Sequence, residues 1–253
     1  MKGKLYLIPT PLGDLEPSSA LPAPVLTKIP EIRRWFVEEL RTARRFLSAA
    51  GWKGRIEELE LYEINEHSTR EQIEGYARLL GEEDAGLISE AGLPAVADPG
   101  ALLVELAHGK GVEVVPHIGP SSLMLALMAS GLNGQCFAFT GYLPVKAPAR
   151  REAILALERT SARLHQSQLI IETPYRNDTL LADLLETCRP DTRLCIAANL
   201  TCPDELIRTH RIADWRPLVR QGFTIGKRPC VFVILSVCHP ERSEGSKKQD
   251  KHG

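Results

Sequence analysis

Ala85-Gly86-Leu87-Ile88-Ser89-Glu90-Ala91-Gly92-Leu93-Pro94-Ala95-Val96-Ala97-Asp98-Pro99-Gly100 is the stretch on which the fold turns. Its first five residues form a short apolar run of strand type, and residues 101–110 carry the periodicity of an amphipathic helix, stopped by Gly109 and Gly111. The loop between them is long and almost wholly small-sided. Such a loop is costly to order for structure alone, and Gly92 beside Ala91 lets a ligand lie against main chain. Asp98-Pro99-Gly100 then turns into the helix. Strand, approachable loop and helix, in that order, are the unit of an α/β sheet whose ligand lies beyond the strand C-termini.

The same unit recurs on either side. Strands are expected over 5–8, 35–37, 59–64 and 112–115, with helices over 42–50 and 69–80, the latter capped by Ser68 or Thr69. That alternation argues for a largely parallel sheet. The turn at 116–120 precedes an apolar helix over 123–129, capped by Ser121 or Ser122, ended by Gly131, and expected as a core helix between layers. A second α/β set follows: strands over 137–140, 169–172, 194–198, 205–211 and 230–237, and helices over 149–162, 176–188 and 214–219. The expected fold class is therefore α/β, two α/β domains with a cleft between them. The expected domains are 1–118 and 119–238, with a disordered polar tail over 239–253.

Composition narrows the classes. With 253 residues, 43% hydrophobic and 25% charged, the chain is an ordinary globular protein, and its apolar stretches are too short to span a bilayer. No basic n-region followed by an apolar h-region opens it, so a cytoplasmic protein is expected. The cysteines at 136, 188, 195, 202, 230 and 238 form no Cys-x-x-Cys, and no metal is assigned. A net charge of -1 leaves nucleic-acid contact to a local patch, for which Arg33, Arg34, Arg41, Arg44 and Arg45 are the candidates beside a plainly solvated helix face.

Four loops at expected strand ends can approach a ligand. Pro9-Thr10-Pro11-Leu12-Gly13-Asp14 is stiffened by two prolines, freed at Gly13, and offers the Asp14 carboxylate. Ser89 to Gly100 is the second, and His117-Ile118-Gly119-Pro120-Ser121-Ser122, whose serines can bind a ligand or cap a helix, is the third. Glu172-Thr173-Pro174-Tyr175-Arg176 ends a strand with an acid before a proline turn. No G-x-G-x-x-G follows the first strand and no G-x-x-x-x-G-K-[ST] occurs, which argues against dinucleotide enzymes and P-loop NTPases.

In order, these four loops resemble the signatures of the tetrapyrrole methylase superfamily, most closely its branch of small-subunit ribosomal RNA ribose 2'-O-methyltransferases acting on cytidine. The similarity runs over 5–237. Leu5 to Glu16 resembles the opening signature, Ser89 to Pro94 with Ala97 to Gly100 the second, Gly119 to Ser122 with Ala129 to Leu132 the third, and Glu172 to Arg176 the fourth. Asp14 stands where the branch has asparagine, and Val37-Glu38-Glu39-Leu40-Arg41 where it has Ala-Glu-Asp-Thr-Arg. The branch's further C-terminal domain has no counterpart, so a shorter, divergent relative is expected.

The resemblance implies S-adenosylmethionine bound between the domains, and a homodimer. The cofactor-binding residues it implies are Pro9, Gly13, Asp14, Ser89, Glu90, Ala91, Gly92, Pro94, Ser121, Ser122, Glu172 and Thr173. Methyl transfer to a ribose hydroxyl calls for a base or electrostatic helper, for which Glu38, Arg41 and His67 are the candidates. A ribosomal RNA acceptor predicts that the five arginines form one patch at the cleft mouth. A tetrapyrrole or other metabolite predicts a deep, enclosed, apolar cleft. A cofactor-binding protein without activity predicts donor binding with no acceptor.

Overall fold

The structure is a computed structural model that describes residues 3–237. The first half runs β1 (Leu5–Leu7), α1 (Pro17–Ala20), α2 (Ala23–Lys28), β2 (Arg34–Val37), α3 (Leu40–Leu47), β3 (Glu60–Glu63), α4 (Arg70–Ala77), β4 (Ala85–Ile88), α5 (Ala101–Gly109) and β5 (Val114–Pro116). Then follow α6 (Ser122–Ser130), β6 (Phe137–Tyr142), α7 (Ala147–Leu164), β7 (Ser167–Glu172), α8 (Asn177–Thr187), β8 (Arg193–Ala198), β9 (Leu206–Arg211), α9 (Ile212–Arg220) and β10 (Cys230–Leu235). The expected tail over 239–253 lies outside the described residues.

The first sheet has the order β3-β2-β4-β1-β5, with every pair parallel. Parallel strands are covered on both faces and so read as unbroken apolar runs. Trp35, Phe36 and Val37 in β2 are fully buried. Gly86 in the neighbouring β4 is glycine because a Cβ there would stand 2.3 Å from the Trp35 ring. The indole Nε1 donates to the Ile32 carbonyl at 2.9 Å, which satisfies the one polar atom of that buried ring.

The second sheet, β6-β7-β10-β8-β9, departs from the first. Only β6 and β7 run parallel; β10 is antiparallel to both β7 and β8, and β9 is antiparallel to β8. The β7-α8-β8 crossover leaves a slot between two like-directed strands, and the last strand fills it from the opposite direction. Central β10 is buried throughout, with Val231 and Val233 packed beneath α6, and Cys230, Phe232 and Ile234 facing the core that holds Ile154, Leu184 and Trp215. That alternation is the period of two that one strand imposes on two cores.

Residues 17–28 carry Pro17, Pro22 and Pro24 and hold α1 and α2, with proline in the first turn of each, where its missing N–H costs nothing. Helix α6 buries Leu123, Ala126, Leu127 and Ser130 against the second sheet but leaves Met128 75% exposed and Met124 44% exposed. It has one buried face, not the two of a core helix between layers.

Candidate functional site

The strand order assembles the site. Neighbours β2, β4 and β1 end side by side, so the segments leaving them, Glu38, Ser89 to Gly100 and Pro9 to Asp14, emerge on one edge of the sheet. Two of these segments are clipped together by main chain: the Thr10 N–H donates to the Gly92 carbonyl at 2.9 Å, and the Gly92 N–H donates to the Thr10 carbonyl at 3.1 Å. Gly92 holds φ +83°, where a side chain would be strained and its Cβ would press on Leu12 at 3.2 Å. Ala95 and Ala97 also take left-handed backbone, at φ 64° and 65°. Non-glycine residues there cost roughly 1 kcal/mol or more each, which the surrounding structure must offset.

Facing this edge is the end of the second sheet. A cleft of about 400 Å³ lies between them, bordered on one side by Leu12, Glu38, Glu90, Ala91 and Asp98, and on the other by Tyr142, Glu172, Ala197, Leu200 and Val231. A smaller recess of about 110 Å³ continues under the loop, between Gly92, Asp98, Ser121 and Ser122. A groove of about 450 Å³ runs along the outer flank between residues 10–17 and α3, sharing Leu12, Glu90 and Ala91 with the cleft. Loops from the two halves touch here, since a Cβ at Gly13 would stand 2.6 Å from the Cys202 sulfur.

Carboxylates dominate the cleft. The Glu90 N–H donates to Glu38 Oε2 at 3.0 Å, but burial outweighs that bond and raises the Glu38 carboxyl above its ordinary range, aided by the charges of Glu90 and Glu66. Burial and then the Glu38 charge push Asp98 up to about 6, against the lowering effect of the Ser89 hydroxyl. Tyr142 is raised by burial, then by the charges of Asp98, Glu172 and Glu38. Glu172 is buried at the end of β7. Its Oε1 accepts from the Thr173 N–H at 2.6 Å and from Arg176 Nε at 3.0 Å and Nη2 at 2.6 Å, while its buried Oε2 has no partner among the described residues.

The candidate residues separate on this geometry. Glu38, Glu90, Ala91, Ser122 and Glu172 border the cleft, Ser121 and Gly92 the recess, and Gly13 and Asp14 the flank groove. Pro9 is buried behind the site, so close to Gly119 that a Cβ there would stand 2.2 Å away. Ser89 and Pro94 are buried in the loop's base, Thr173 serves Glu172 through its N–H, and Ser121 also caps α6. Arg41 lies exposed in the first turn of α3. His67 is 84% exposed beside Glu66 in the β3-α4 connection and borders neither the cleft nor the groove.

The five arginines do not form one patch. Arg34 begins β2, at the strand end opposite the cleft, where it is buried and bonded to Glu60, Glu82 and Glu83. Arg33 adjoins it, donating to the Glu58 carbonyl. Arg41, Arg44 and Arg45 are exposed along α3, and Arg45 borders the flank groove, 3.8 Å from Asp14. Sequence reasoning missed Asp98, read there as a turn residue, and the whole wall formed by Ala197, Asn199, Leu200, Cys230 and Val231. The strand pairing of Cys230 with Ala198 brings that wall together, and no local pattern announces it.

Two α/β halves around one cleft match solved structures in fold: diphthine synthase superposes with a TM-score of 0.66 at 15% identity, covering 92% of this chain and 90% of that one. The methyltransferase CobJ gives 0.61 at 15%, over 92% and 94%. The protein is a methyltransferase of this two-domain architecture. The chain belongs to the Tetrapyrrole (Corrin/Porphyrin) Methylases, whose family model matches residues 4–215. Among curated relatives, the Ribosomal RNA small subunit methyltransferase I of Pseudomonas aeruginosa is 32% identical over 96% of this chain and 82% of its own length. That of Neisseria meningitidis serogroup B is 34% identical over 96% and 79%.

Proposed function

We propose that this methyltransferase binds S-adenosylmethionine between its two halves and methylates a ribose 2'-hydroxyl of small-subunit ribosomal RNA. The observation that carries the cofactor assignment is the cleft itself. Its volume of about 400 Å³ is of small-molecule size, roughly 300–1,000 Å³. Its far wall of Ala197, Leu200 and Val231 suits a flat base, its near wall supplies main chain, and its carboxylates suit a cationic donor. The unpartnered Glu172 Oε2 is a buried acceptor awaiting a ligand donor. The residues present fit the cofactor, with Glu90, Ala91, Gly92, Ser121, Ser122, Glu172 and Thr173 as its holders, Pro9, Ser89 and Pro94 as the frame behind them, Gly13 and Asp14 at the adjoining flank groove, and the domain division at 118/119.

Bound there, S-adenosylmethionine supplies an electrophilic methyl group on a sulfonium. The protein contributes alignment, exclusion of water by the apolar wall, and a proton acceptor. Glu38 is the proposed base: it borders the cleft on the side shared with the flank groove, and its raised pKa suits proton removal from a hydroxyl. Arg41 is proposed to help hold the acceptor strand rather than to act on the reacting atoms, and the exposed position of His67 gives it no supporting contact.

The acceptor assignment draws on the relatives' names and on the flank groove, not on the five-arginine patch expected of an RNA acceptor, which does not form. That groove joins the cleft at Glu90 and Ala91 and is bordered by exposed Asp14 and Arg45, an open approach that suits an RNA strand better than an enclosed metabolite pocket. A homodimer is proposed through the exposed apolar surface of Ile118, Met124 and Met128. The deciding experiment incubates the enzyme with methyl-labelled cofactor and fractionated cellular RNA, protein and metabolites. Label recovered as a 2'-O-methylated nucleoside of small-subunit ribosomal RNA is expected. Label confined to a metabolite would overturn the acceptor assignment, and donor binding without any labelled acceptor would overturn the enzymatic one.

A further inference from the structure

The near side of the cleft gathers Glu38, Glu90 and Asp98, and the far side presents Glu172. None of the first three is ion-paired with Lys, Arg or His among the described residues, and Arg176, alongside, is bonded to Glu172 Oε1. The acids are not set to hold a metal ion, since no three His, Cys, Asp or Glu converge suitably among the described residues. A second observation points to a ligand. The Glu172 side chain is 1% exposed, borders the same cleft, and leaves Oε2 without a partner among the described residues.

Three carboxylates without a cationic partner, facing the Arg176-paired Glu172 across a partly desolvated cleft, make a negative potential that favours a cation. Methyl transfer changes the ligand's charge by one: the carbon–sulfur bond breaks with its electron pair on sulfur, the acceptor oxygen bonds the carbon, and the acceptor's proton passes to a base. The sulfonium becomes a neutral thioether. We propose that Asp98, with Glu38 and Glu90, reads that charge, so that the cleft holds the sulfonium donor in preference to the thioether product and expels the product once the methyl has gone. The proposal rests on S-adenosylmethionine as the cofactor. It makes Asp98 a specificity-determining residue, a role distinct from the proton transfer given to Glu38.

The groups facing Asp98 are Glu38 and Glu90 from the first half, with Glu66 behind Glu38, and Tyr142 and the Glu172–Arg176 pair from the second. All but Arg176 are acidic or neutral, so protonating Asp98 removes a negative charge that nothing nearby replaces. Isothermal calorimetry with S-adenosylmethionine and with S-adenosylhomocysteine, at pH 7.5 and pH 5.5, tests the proposal without any acceptor. At the higher pH the donor is expected to bind about 10-fold tighter than the product, with the ratio falling at least about 3-fold at the lower pH or in Asp98→Asn, the size expected of one partly screened charge. Asp98→Glu should restore it.

A ratio unchanged in Asp98→Asn and in the Asp98→Asn, Glu90→Gln double variant, with both folded by circular dichroism, overturns the proposal. So does a product affinity that follows the donor's in parallel. Failure of either ligand to bind the wild type overturns the cofactor assignment itself, an outcome separate from an unchanged ratio.

Discussion

Thr10 and Gly92 exchange both of their main-chain hydrogen bonds, at 2.9 and 3.1 Å, and so lock the first ligand loop to the second across two strand ends. The lock depends on the positive φ of Gly92 and on the space beside Leu12 and Pro120. Gly92→Ala is expected to lose about 1–2 kcal/mol of stability and to weaken donor binding, because the strain falls on the loop that borders the recess. Denaturant melts paired with calorimetry check it; an unchanged donor affinity would show that the clip is structural alone.

Glu172 and Arg176 form the second lock. Arg176→Gln removes both guanidinium bonds from a carboxylate whose side chain is 1% exposed. A destabilisation of about 2 kcal/mol is expected, smaller than for a wholly buried pair because Arg176 is itself about one third exposed. Glu172→Gln in the same background should recover part of it by removing the stranded charge, a coupling that a double-mutant cycle measures.

Asp98 gives a pH signature in stability. Its folded carboxyl titrates at about 6, above the unfolded value of roughly 3.9, so the folded state holds the extra proton between those values. The ionised group therefore costs stability above pH 6, and that cost disappears as pH falls through 6 toward 4. Asp98→Asn should raise Tm by a few degrees at pH 8, of the order of 1 kcal/mol after solvent screening, with the gain gone near pH 4. Thermal melts across that range check the sign, which a well-paired carboxylate would reverse.

The arginines of α3 bear on the acceptor. Replacing Arg41, Arg44 and Arg45 with glutamine should leave donor affinity intact and weaken RNA binding, lowering the slope of log affinity against log salt by about 2. Filter binding over a salt series measures it. Arg33→Gln, at the far end of β2, should leave the slope unchanged, and an equal effect from both would remove α3 from the acceptor path.

The exposed face of α6 supplies the remaining prediction. Met128→Glu lies at a 75% exposed position and should change monomer stability by less than about 0.5 kcal/mol. Light scattering is expected to show its dimer dissociating at concentrations where the wild type stays paired. Equal masses for both proteins would place the interface elsewhere.

How much of this was legible in the sequence depended on what each residue had to do. Glycine and proline write backbone geometry into the chain, so Pro9 to Asp14, Ser89 to Gly100 and Gly119 to Ser122 could be read as loops that a ligand approaches. Short apolar runs such as Trp35 to Val37, alternating with helix-like segments, similarly announced a parallel sheet. The opposite wall was silent, because Ala197, Cys230 and Val231 look like core strand residues until β10 is inserted between β7 and β8. Asp98 reads as a turn former, and its place at the cleft follows from the left-handed backbone at Ala95 and Ala97, which composition does not reveal. The arginines misled through spacing: Arg33 and Arg34 are close to Arg41 in sequence, but a strand carries them to the other side of the sheet.

Every strand of the first sheet precedes Ile118, and every strand of the second follows it. Over the described residues the backbone thus crosses between the halves once, and each wall of the cleft is encoded in its own continuous stretch. Such a layout lets heredity work on the walls separately: either stretch can be retained while its neighbour is exchanged or rewritten. New specificities are then reachable by changes confined to one half of the coding sequence.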